Sequence, residues 1–332
     1  MARLGDWLQP HPEGIYVPAA DIWIDPSQPK ARAFVTHGHA DHARGCHSEV
    51  WANPGTLAIM EARYGPQAGR PVAYGETVTM DGVEIGFVPA GHVLGSAQIV
   101  LDHRGERIVV SGDYKRRPDP TCEPFRPVKC DVFVTEATFA LPVFRHPETR
   151  DEIDKLLAAL RAEPERCVLV GAYALGKAQR VIAELRAMGF DDPIYIHGAL
   201  QRLCDLYAEH GVALGELRPA TGVPKKELQG RIILCPPGAL NDRWSRRLPD
   251  PVTAMASGWM TVRQRARQRN VELPLILSDH ADWDELTRTI REIAPQELWV
   301  THGREDALVH WCHQHQIKAR ALELAGYEDE DD

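Results

Sequence analysis

The sequence lacks the features that mark secreted, membrane-spanning or disulfide-linked proteins. No apolar run approaches the roughly 20 residues that a membrane-spanning helix needs. The opening residues, MARLGDWLQPHPEG, have one arginine with no apolar run behind it, so we expect no secretory signal and a place in the cytoplasm. No CxxC pair occurs, which argues against a zinc ribbon or a disulfide framework and favours free buried thiols. The seven cysteines are Cys46, Cys122, Cys130, Cys167, Cys204, Cys235 and Cys312.

The chain also lacks the positive charge that is common in nucleic-acid-binding proteins. Its 332 residues carry a net charge of −9. However, five of the acidic residues stand together at 328–332, where we expect a solvated tail. Three others, Asp41, Asp113 and Glu136, are candidates for facing bound metal, whose charge reverses the local sign. The net charge therefore does not exclude a nucleic-acid substrate.

Internal repeats and low-complexity segments are absent, but the pattern of elements changes twice along the chain. Residues 1–147 have short β runs separated by turn residues, whereas residues 148–269 alternate strands such as RCVLVGAYA with helices such as GKAQRVIAELRAMGF. This alternation is typical of a parallel β/α unit. After residue 270 the first pattern returns. We predict an α/β protein in which a domain made of 1–147 and 270–332 is interrupted by a second domain, 148–269.

A cluster of histidine and aspartate follows the apolar run ARAFV. It comprises His37, His39, Asp41 and His42 in the stretch THGHADH. On an extended segment the first three would share one face, whereas a turn after Gly38 would distribute them between two ions. Imidazole and carboxylate together suit zinc, manganese or iron rather than calcium. The alternative is a set of exposed loop histidines.

Three more β runs end in a potential ligand. They are GFVPAGHVLGSAQ with His92, RIVVSGDYK with Asp113, and LWVTHGRED with His302. Each one alone is a weak signal, because a single loop histidine or aspartate is usually a turn or capping residue. Four strand ends that all offer such ligands predict a dinuclear metal site.

These motifs carry a resemblance to a known family. HGHADH, AGHVLGS, SGDYK and the late THG resemble the metallo-β-lactamase fold, an αββα sandwich with two metals at one sheet edge. VTEATF, LSDHADWDEL and VTHGR resemble motifs A, B and C of the β-CASP nucleases, and GAYALGKAQRV is similar to part of their cap domain. With ASGWM, the set is most similar to the bacterial ligase-associated DNA exonucleases, also labelled mRNA 3′-end processing factors. The resemblance implies that 148–269 is a β-CASP cap domain.

The resemblance also implies a role for each motif residue. Two divalent ions, Mn²⁺ or Zn²⁺, would share Asp113 as a bridging ligand. The other ligands of the first ion would be His37, His39 and His92, and those of the second would be Asp41, His42 and His302. His280 would lie near the scissile phosphate and stabilise it or protonate the leaving oxygen, and Glu136 would hydrogen-bond that imidazole. The catalytic set is therefore Asp41, Asp113, Glu136 and His280.

One position departs from the family pattern, because Asp279 stands before His280 where relatives often carry a small residue. Its carboxylate would either face solvent or tune His280.

A second motif, GAYALGK at 171–177, matches the GxxxxGK of a P-loop, but Ala178 follows where Ser or Thr should ligate Mg²⁺. Either the helix start at Gly176 and Lys177 binds a backbone phosphate, or this is a plain strand-to-helix turn.

Candidate substrate contacts come from basic and aromatic residues. The basic runs are YKRRP, PKKE, DRWSRR and VRQRARQR, and such runs are usually solvated faces. Lys115 and Arg116 are favoured because they closely follow Asp113. In SGWM, Ser257 and Trp259 are further candidates, with Trp259 available for base stacking or, alternatively, for the core.

We therefore expect a two-metal phosphodiesterase that cleaves nucleic acid held between the catalytic domain and its cap. The resemblance implies DNA, particularly single strands or ends in repair, and a DNA ligase or helicase as partner. An RNA-processing nuclease of the same group is the nearest alternative. Hydrolysis of a small thioester or lactam, and a non-catalytic binding protein, are two further alternatives.

Overall fold

The computed structural model describes residues 4–322, so the acidic run at 328–332 lies outside the described residues. Its strands are β1 (Gln9–His11), β2 (Gly14–Val17), β3 (Ile22–Ile24), β4 (Arg32–Val35), β5 (Glu49–Ala52), β6 (Gly69–Pro71), β7 (Thr77–Met80), β8 (Val83–Pro89), β9 (Ala97–His103), β10 (Glu106–Val110), β11 (Val132–Ala137), β12 (Val168–Gly171), β13 (Ile194–Ile196), β14 (Leu217–Pro219), β15 (Ile232–Cys235), β16 (Val252–Ala256), β17 (Leu273–Leu275), β18 (Glu297–Gly303) and β19 (Lys318–Ala321).

Its helices are α1 (Pro54–Tyr64), α2 (Thr149–Ala162), α3 (Lys177–Ala187), α4 (Gly198–Glu209), α5 (Lys225–Leu228), α6 (Arg263–Gln268), α7 (Trp283–Ile293) and α8 (Glu305–Gln314), with 3₁₀ helices at Pro237–Asn241, Ser245–Arg247 and Gly258–Thr261. Within residues 4–322, no helix has the length and apolar character needed to cross a membrane. The predicted mixed α/β class is confirmed.

The strands form three sheets that fall into two compact units. The first unit contains a sheet of order β1-β2-β3-β4-β5-β6 and a sheet of order β19-β18-β11-β10-β9-β8-β7; the second contains β14-β13-β15-β12-β16-β17. The second unit is formed by Asp119–Thr121 and Arg145–Asp279. The first unit holds the remaining described residues.

Apolar alternation along the strands builds the main core of the first unit between its two sheets. Ile22 and Phe34 from one sheet join Phe87 and Ile99 from the other in one buried cluster. Each such side chain contributes roughly 1.5–3 kcal/mol when it leaves water. The outer faces are covered by helices: Leu57 and Met60 of α1 join Val35 and Val50, while α7 and α8 pack on the second sheet through Leu286, Ile290 and Leu308.

The second unit has the parallel sheet that its alternating sequence predicts, since every strand pair in it is parallel. Parallel neighbours need a crossover between strands, and α3, α4 and α5 each lie between successive strands of this sheet in the sequence. The position of strand β17 corrects one predicted domain boundary. We predicted it in the first domain, but it pairs with β16 in the second unit, with Ala254 opposite Leu273. The sequence pattern identified a strand there but not its pairing partner.

Candidate metal centre

Four strands of the first unit deliver the predicted ligands to one edge of its second sheet or beside it. β10, β11 and β18 are parallel to one another, and β8 runs in the same direction because both flanking pairs with β9 are antiparallel. The carboxyl ends of strands that run the same way meet at one edge. His92, Asp113 and His302 therefore come together, and β4 of the other sheet leads directly into His37.

Asp113 lies at the centre of these groups. Its Oδ2 is 3.4 Å from Nε2 of His37, 3.6 Å from Nε2 of His42 and 3.8 Å from Nε2 of His92. The Nδ1 of His39 is 2.9 Å from Nε2 of His92. All of these side chains are buried, with Asp113 itself 5% exposed.

The potential ligand atoms form overlapping groups whose members lie within 4.8 Å of one another. These groups are His37, His39, His92 and Asp113; His37, Asp41 and His42; His42, Asp113 and His302; and Asp113, Glu136 and His280. All seven predicted metal ligands occur in at least one group, and Asp113 occurs in three. The chain therefore brings the predicted ligands together, with Asp113 shared.

The HGHADH segment turns rather than continuing as a strand. The backbone N–H groups of His42 and Ala43 both donate to the carbonyl of His39, at 3.2 and 2.7 Å. This turn places Asp41 and His42 in different groups from His39. Of the two arrangements left open by the sequence, the geometry is that of a turn which distributes the ligands.

A bulge in β18 aims His302. Thr135 pairs with Val300 and Ala137 with Gly303, so β18 has one residue more than β11 at this point. His302 has φ +58° there, and the following Gly303 has φ +90°. A Cβ on Gly303 would lie 2.5 Å from the carbonyl oxygen of Ala137, so only glycine fits. Bulges of this kind are common beside functional sites, where they redirect one side chain.

The donor atoms fit divalent metal. Nε2 of His37, Oδ1 of Asp41 and Oδ1 of Asp113 are buried without a hydrogen-bond partner. An unsatisfied buried polar atom costs about 1–3 kcal/mol unless something binds it. Imidazole and carboxylate donors together are those that zinc, manganese and iron accept. The residues present can therefore hold divalent ions.

Sequence reasoning missed one residue of the site, Asp25. Its Oδ2 is 2.8 Å from Nδ1 of His42, and the same carboxylate accepts from the N–H of Thr36 at 2.8 Å and from the Thr36 hydroxyl at 2.6 Å. A carboxylate on one imidazole nitrogen fixes the tautomer and leaves the other nitrogen available to a metal. The signal was present, because Asp25 directly follows β3 as the other site residues follow their strands.

Glu136 and His280 form the predicted pair. Nδ1 of His280 is 2.8 Å from Oε2 of Glu136, and Oε1 of Glu136 accepts from the N–H of Tyr114 at 2.8 Å. Glu136 is fully buried, whereas the His280 side chain is 24% exposed. Nδ1 of His280 is also 3.9 Å from Oδ2 of Asp113, so the pair borders the cluster.

Comparisons with known proteins show what this arrangement is similar to. No protein-family model matches the chain. A probable DNA ligase of Opitutus terrae is 29% identical over 324 residues, which cover 95% of this chain and 31% of that protein. A ribonuclease of Thermus thermophilus is 27% identical over 221 residues, 57% of this chain and 51% of that protein. The chain is similar to these proteins, in line with its resemblance to the β-CASP nucleases of the metallo-β-lactamase group.

The chain spans about a third and about a half of the lengths of these two relatives. A solved structure shares its fold. It is a protein of unknown function from Enterococcus faecalis V583, with a TM-score of 0.59 and 13% identity, which covers 92% of this chain and 81% of that one.

The surroundings of two imidazoles in the cluster favour the neutral form that a metal ligand needs. Burial, with the nearby imidazoles of His42 and His92, lowers the pKa of His37 well below its ordinary value. Burial and His42 likewise lower the pKa of His302 well below its ordinary value. A metal ligand must present a free nitrogen lone pair, which a neutral imidazole does.

The carboxylates around His42 give the cluster excess negative charge. Burial opposes a charge on His42, but Asp41, Asp113 and Asp25 outweigh burial and raise its pKa to about 10. Burial raises the pKa of Asp113 to about 6, and Glu136 adds to the shift while His42 opposes it. Several carboxylates thus surround one charged imidazole, and such a site attracts cations.

Two of the predicted substrate contacts have partners inside the first unit. Lys115 is 1% exposed, and its Nζ donates to the carbonyl of His92 at 3.3 Å. Arg116 donates to Glu292 at 2.7 Å and to the hydroxyl of Thr289 at 3.0 Å. Lys115 therefore supports the His92 loop, and contact of either residue with substrate stays a prediction.

Asp279 does not face solvent. It is 5% exposed, with Oδ2 at 2.9 Å from Nζ of Lys177 and Oδ1 at 3.2 Å from Nη1 of Arg180. Arg180 also donates to the carbonyl of Ser278 and to the hydroxyl of Thr149. The carboxylate that departs from the family pattern is therefore part of a buried ion-pair network within the second unit.

The P-loop-like segment is a closed turn. The N–H of Gly176 donates to the Gln179 side chain at 2.8 Å, and those of Lys177 and Ala178 donate to the carbonyls of Leu175 and Tyr173. Since these groups and the Lys177 ammonium have partners within the chain, the contacts support the plain strand-to-helix turn.

The SGWM residues are less available to substrate than the sequence suggested. Ser257 is 3% exposed, and its hydroxyl accepts from the N–H of Trp259. Trp259 is half-buried, and the guanidinium of Arg265 lies 4.1 Å from the centre of its ring. Base stacking on Trp259 stays a prediction.

Proposed function

We propose that the chain is a metal-dependent nuclease that hydrolyses phosphodiester bonds in DNA, with single strands or DNA ends as its substrates. One observation carries the proposal: three histidine nitrogens lie within 3.4–3.8 Å of a single buried carboxylate oxygen of Asp113. Two divalent ions held there would supply a nucleophile at neutral pH and neutralise the charge that develops on the phosphate.

The ligand assignment is part of the proposal. In it, His37, His39 and His92 would hold one ion, Asp41, His42 and His302 would hold the other, and Asp113 would be a ligand of both. Manganese or zinc suits these donors. The layered packing of the first unit is, in this proposal, the αββα sandwich, and the second unit, which extends the predicted 148–269 to include β17, is the cap domain.

His280 moves a proton in the proposed reaction. Glu136 accepts a hydrogen bond from Nδ1 of His280, which fixes the orientation of the imidazole ring. The other nitrogen, Nε2, then carries a proton that it gives to the leaving oxygen. Glu136 is held in turn by the N–H of Tyr114, so the acid has a fixed orientation.

The relatives support DNA and RNA unequally. The Opitutus relative, which matches 95% of the chain, is named a probable DNA ligase, and this favours DNA and a ligase or helicase partner. The Thermus relative is named a ribonuclease, which makes RNA cleavage the second candidate function. A cytoplasmic location stays an expectation from the sequence.

The test is cleavage of end-labelled single-stranded DNA, duplex DNA and RNA of one sequence, with EDTA, Mn²⁺ or Zn²⁺. We expect metal-dependent DNA cleavage that Asp113→Asn abolishes and that the exposed-turn control Asp81→Asn retains. His280→Ala should lower kcat by roughly 10²–10⁴-fold with the metal content unchanged. Cleavage of RNA alone would overturn the DNA assignment, and loss of metal in His280→Ala would make His280 a ligand.

A further inference from the structure

The second unit contains a strongly basic stretch in an otherwise acidic chain. Residues 241–270 contain seven arginines and two aspartates, a net charge of +5, whereas the whole chain carries −9. Five of the arginines are exposed, and together they are called the arginine surface. They are Arg243, Arg246, Arg247, Arg263 and Arg267.

The two parts of the arginine surface belong to one layer of the fold. Leu240 and Leu248 flank the first part, Met260 and Ala266 accompany the second, and all four are buried in a single cluster with the sheet residue Met255. This cluster fixes both parts over the same face of the parallel sheet. The arginines therefore lie on the solvent-facing side of a packed layer.

A direct contact and a groove connect the two parts. The side-chain amide of Asn241 donates to the carbonyl of Arg269 at 3.4 Å. A cavity of about 770 Å³ is lined by Asn241, Ser245 and Arg246 from the first part and by Asn270 from the end of the second. Leu240, Leu248 and Pro251 also line it, and Arg246 and Asp250 give this groove one basic and one acidic side chain.

The arginine surface has no carboxylate partners among the described residues. None of its five guanidinium groups forms an ion pair there, whereas Arg166, Arg218 and Arg231 of the same unit each lie 2.6–2.8 Å from a carboxylate oxygen. Cations gathered without counter-charges repel one another, and an external anion removes that repulsion. An anion from outside this layer would supply the counter-charge.

An aromatic group accompanies the charges. Trp259 is half-buried at the start of the second part, with the Arg265 guanidinium stacked 4.1 Å from its ring centre. Arginine beside an aromatic ring is the usual composition of surfaces that hold single-stranded nucleic acid without reading its sequence.

We propose that the arginine surface binds the sugar–phosphate backbone of a nucleic-acid strand. Planar guanidinium groups pair with phosphate oxygens through two parallel hydrogen bonds. The proposal rests on the nuclease function proposed above, and it adds a surface that contacts the strand through its phosphates. The contribution of the arginine surface to binding is insensitive to base sequence and falls as the salt concentration rises.

The test measures binding of a fluorescein-labelled, phosphorothioate-linked single-stranded DNA to the metal-loaded full chain by fluorescence anisotropy at several salt concentrations. The variant carries Arg246→Gln, Arg247→Gln, Arg263→Gln and Arg267→Gln. The matched control carries Arg150→Gln, Arg161→Gln, Arg202→Gln and Lys226→Gln, which remove the same charge from exposed positions of the same unit.

We expect the variant to bind at least tenfold more weakly than the control at low salt. The slope of log affinity against log salt should fall by about 0.7 for each phosphate contact that is lost. Both variants should unfold at the temperature of the wild type, because the substituted side chains are exposed.

Equal affinity and equal salt slope in variant and control would overturn the proposal. If a polyaspartate of equal charge displaced the DNA at equal concentration, the surface would instead bind an acidic protein segment. The cleavage assay on wild type separates the two proposals: binding through the surface without cleavage of DNA or RNA would refute only the nuclease function, and cleavage with unchanged variant binding would refute only the surface.

Discussion

At the scale of single residues, the centre depends on groups that orient the ligands as well as on the ligands. Asp25 is 4% exposed, and its carboxylate holds His42 by Nδ1 while it also ties down Thr36, the residue before His37. One buried carboxylate thus supports both ends of the HGHADH turn. A metal ligand that is held this way loses less freedom when it binds.

Asp25→Asn should weaken metal binding. An amide cannot accept from Thr36 and His42 as a carboxylate does, so His42 loses its fixed tautomer, and we expect roughly 10–100-fold lower affinity for Zn²⁺. Competition with a chromophoric chelator measures this. Asp21→Asn is the control, because it makes the same change at an exposed carboxylate, which accepts a hydrogen bond from the hydroxyl of Tyr16 at 2.9 Å. Unchanged affinity in Asp25→Asn would refute the orienting role.

At the scale of elements, the end of β18 is the most constrained part of the site. The bulge gives His302 a left-handed conformation, and Gly303 follows it with no room for a side chain beside Ala137. The position of His302 is therefore set by backbone packing between β18 and β11.

Gly303→Ala should destabilise the fold and displace His302. The new methyl group would meet the Ala137 carbonyl, so we expect a larger loss of unfolding free energy than in Gly105→Ala, which has the same sign of φ and open space around it. The control should lose roughly 1–2 kcal/mol from the left-handed conformation alone. Urea unfolding measures the loss of unfolding free energy in both variants. Equal losses would show that the backbone of β18 shifts to make room for the methyl group, so that packing against Ala137 does not fix its position.

At the scale of the whole molecule, the sequence predicted the ligands better than their surroundings. His92, Asp113 and His302 were found because each ends a strand, and parallel strands must bring such ends together. Asp25 was missed because one aspartate after a short strand is a weak signal by itself. Lys115 and Lys177 were assigned to substrate because they stand beside motifs, and their contact with substrate stays a prediction. The sequence did not show that tertiary packing buries both, or that Lys177 pairs with Asp279, which is distant in sequence. Such long-range pairs leave no periodic trace in the sequence.

The thiols of both units should report on this packing. Burial raises the pKa of Cys167, Cys235 and Cys312 to about 12, so at pH 8 they stay protonated as well as shielded. A thiol reagent should modify the exposed Cys46 first and these three only after unfolding, since the thiolate is the reactive form. Cys46→Ser should remove the fast phase. Rapid modification of the buried thiols in the native protein would contradict the packing.

The most direct test of the proposed two-metal centre is X-ray anomalous scattering at the zinc and manganese edges, from crystals of the metal-loaded protein. We expect two peaks per chain, each about 2.0–2.2 Å from an oxygen of Asp113, one beside His37 and the other beside His302. A single peak, or two peaks of which only one touches Asp113, would contradict it.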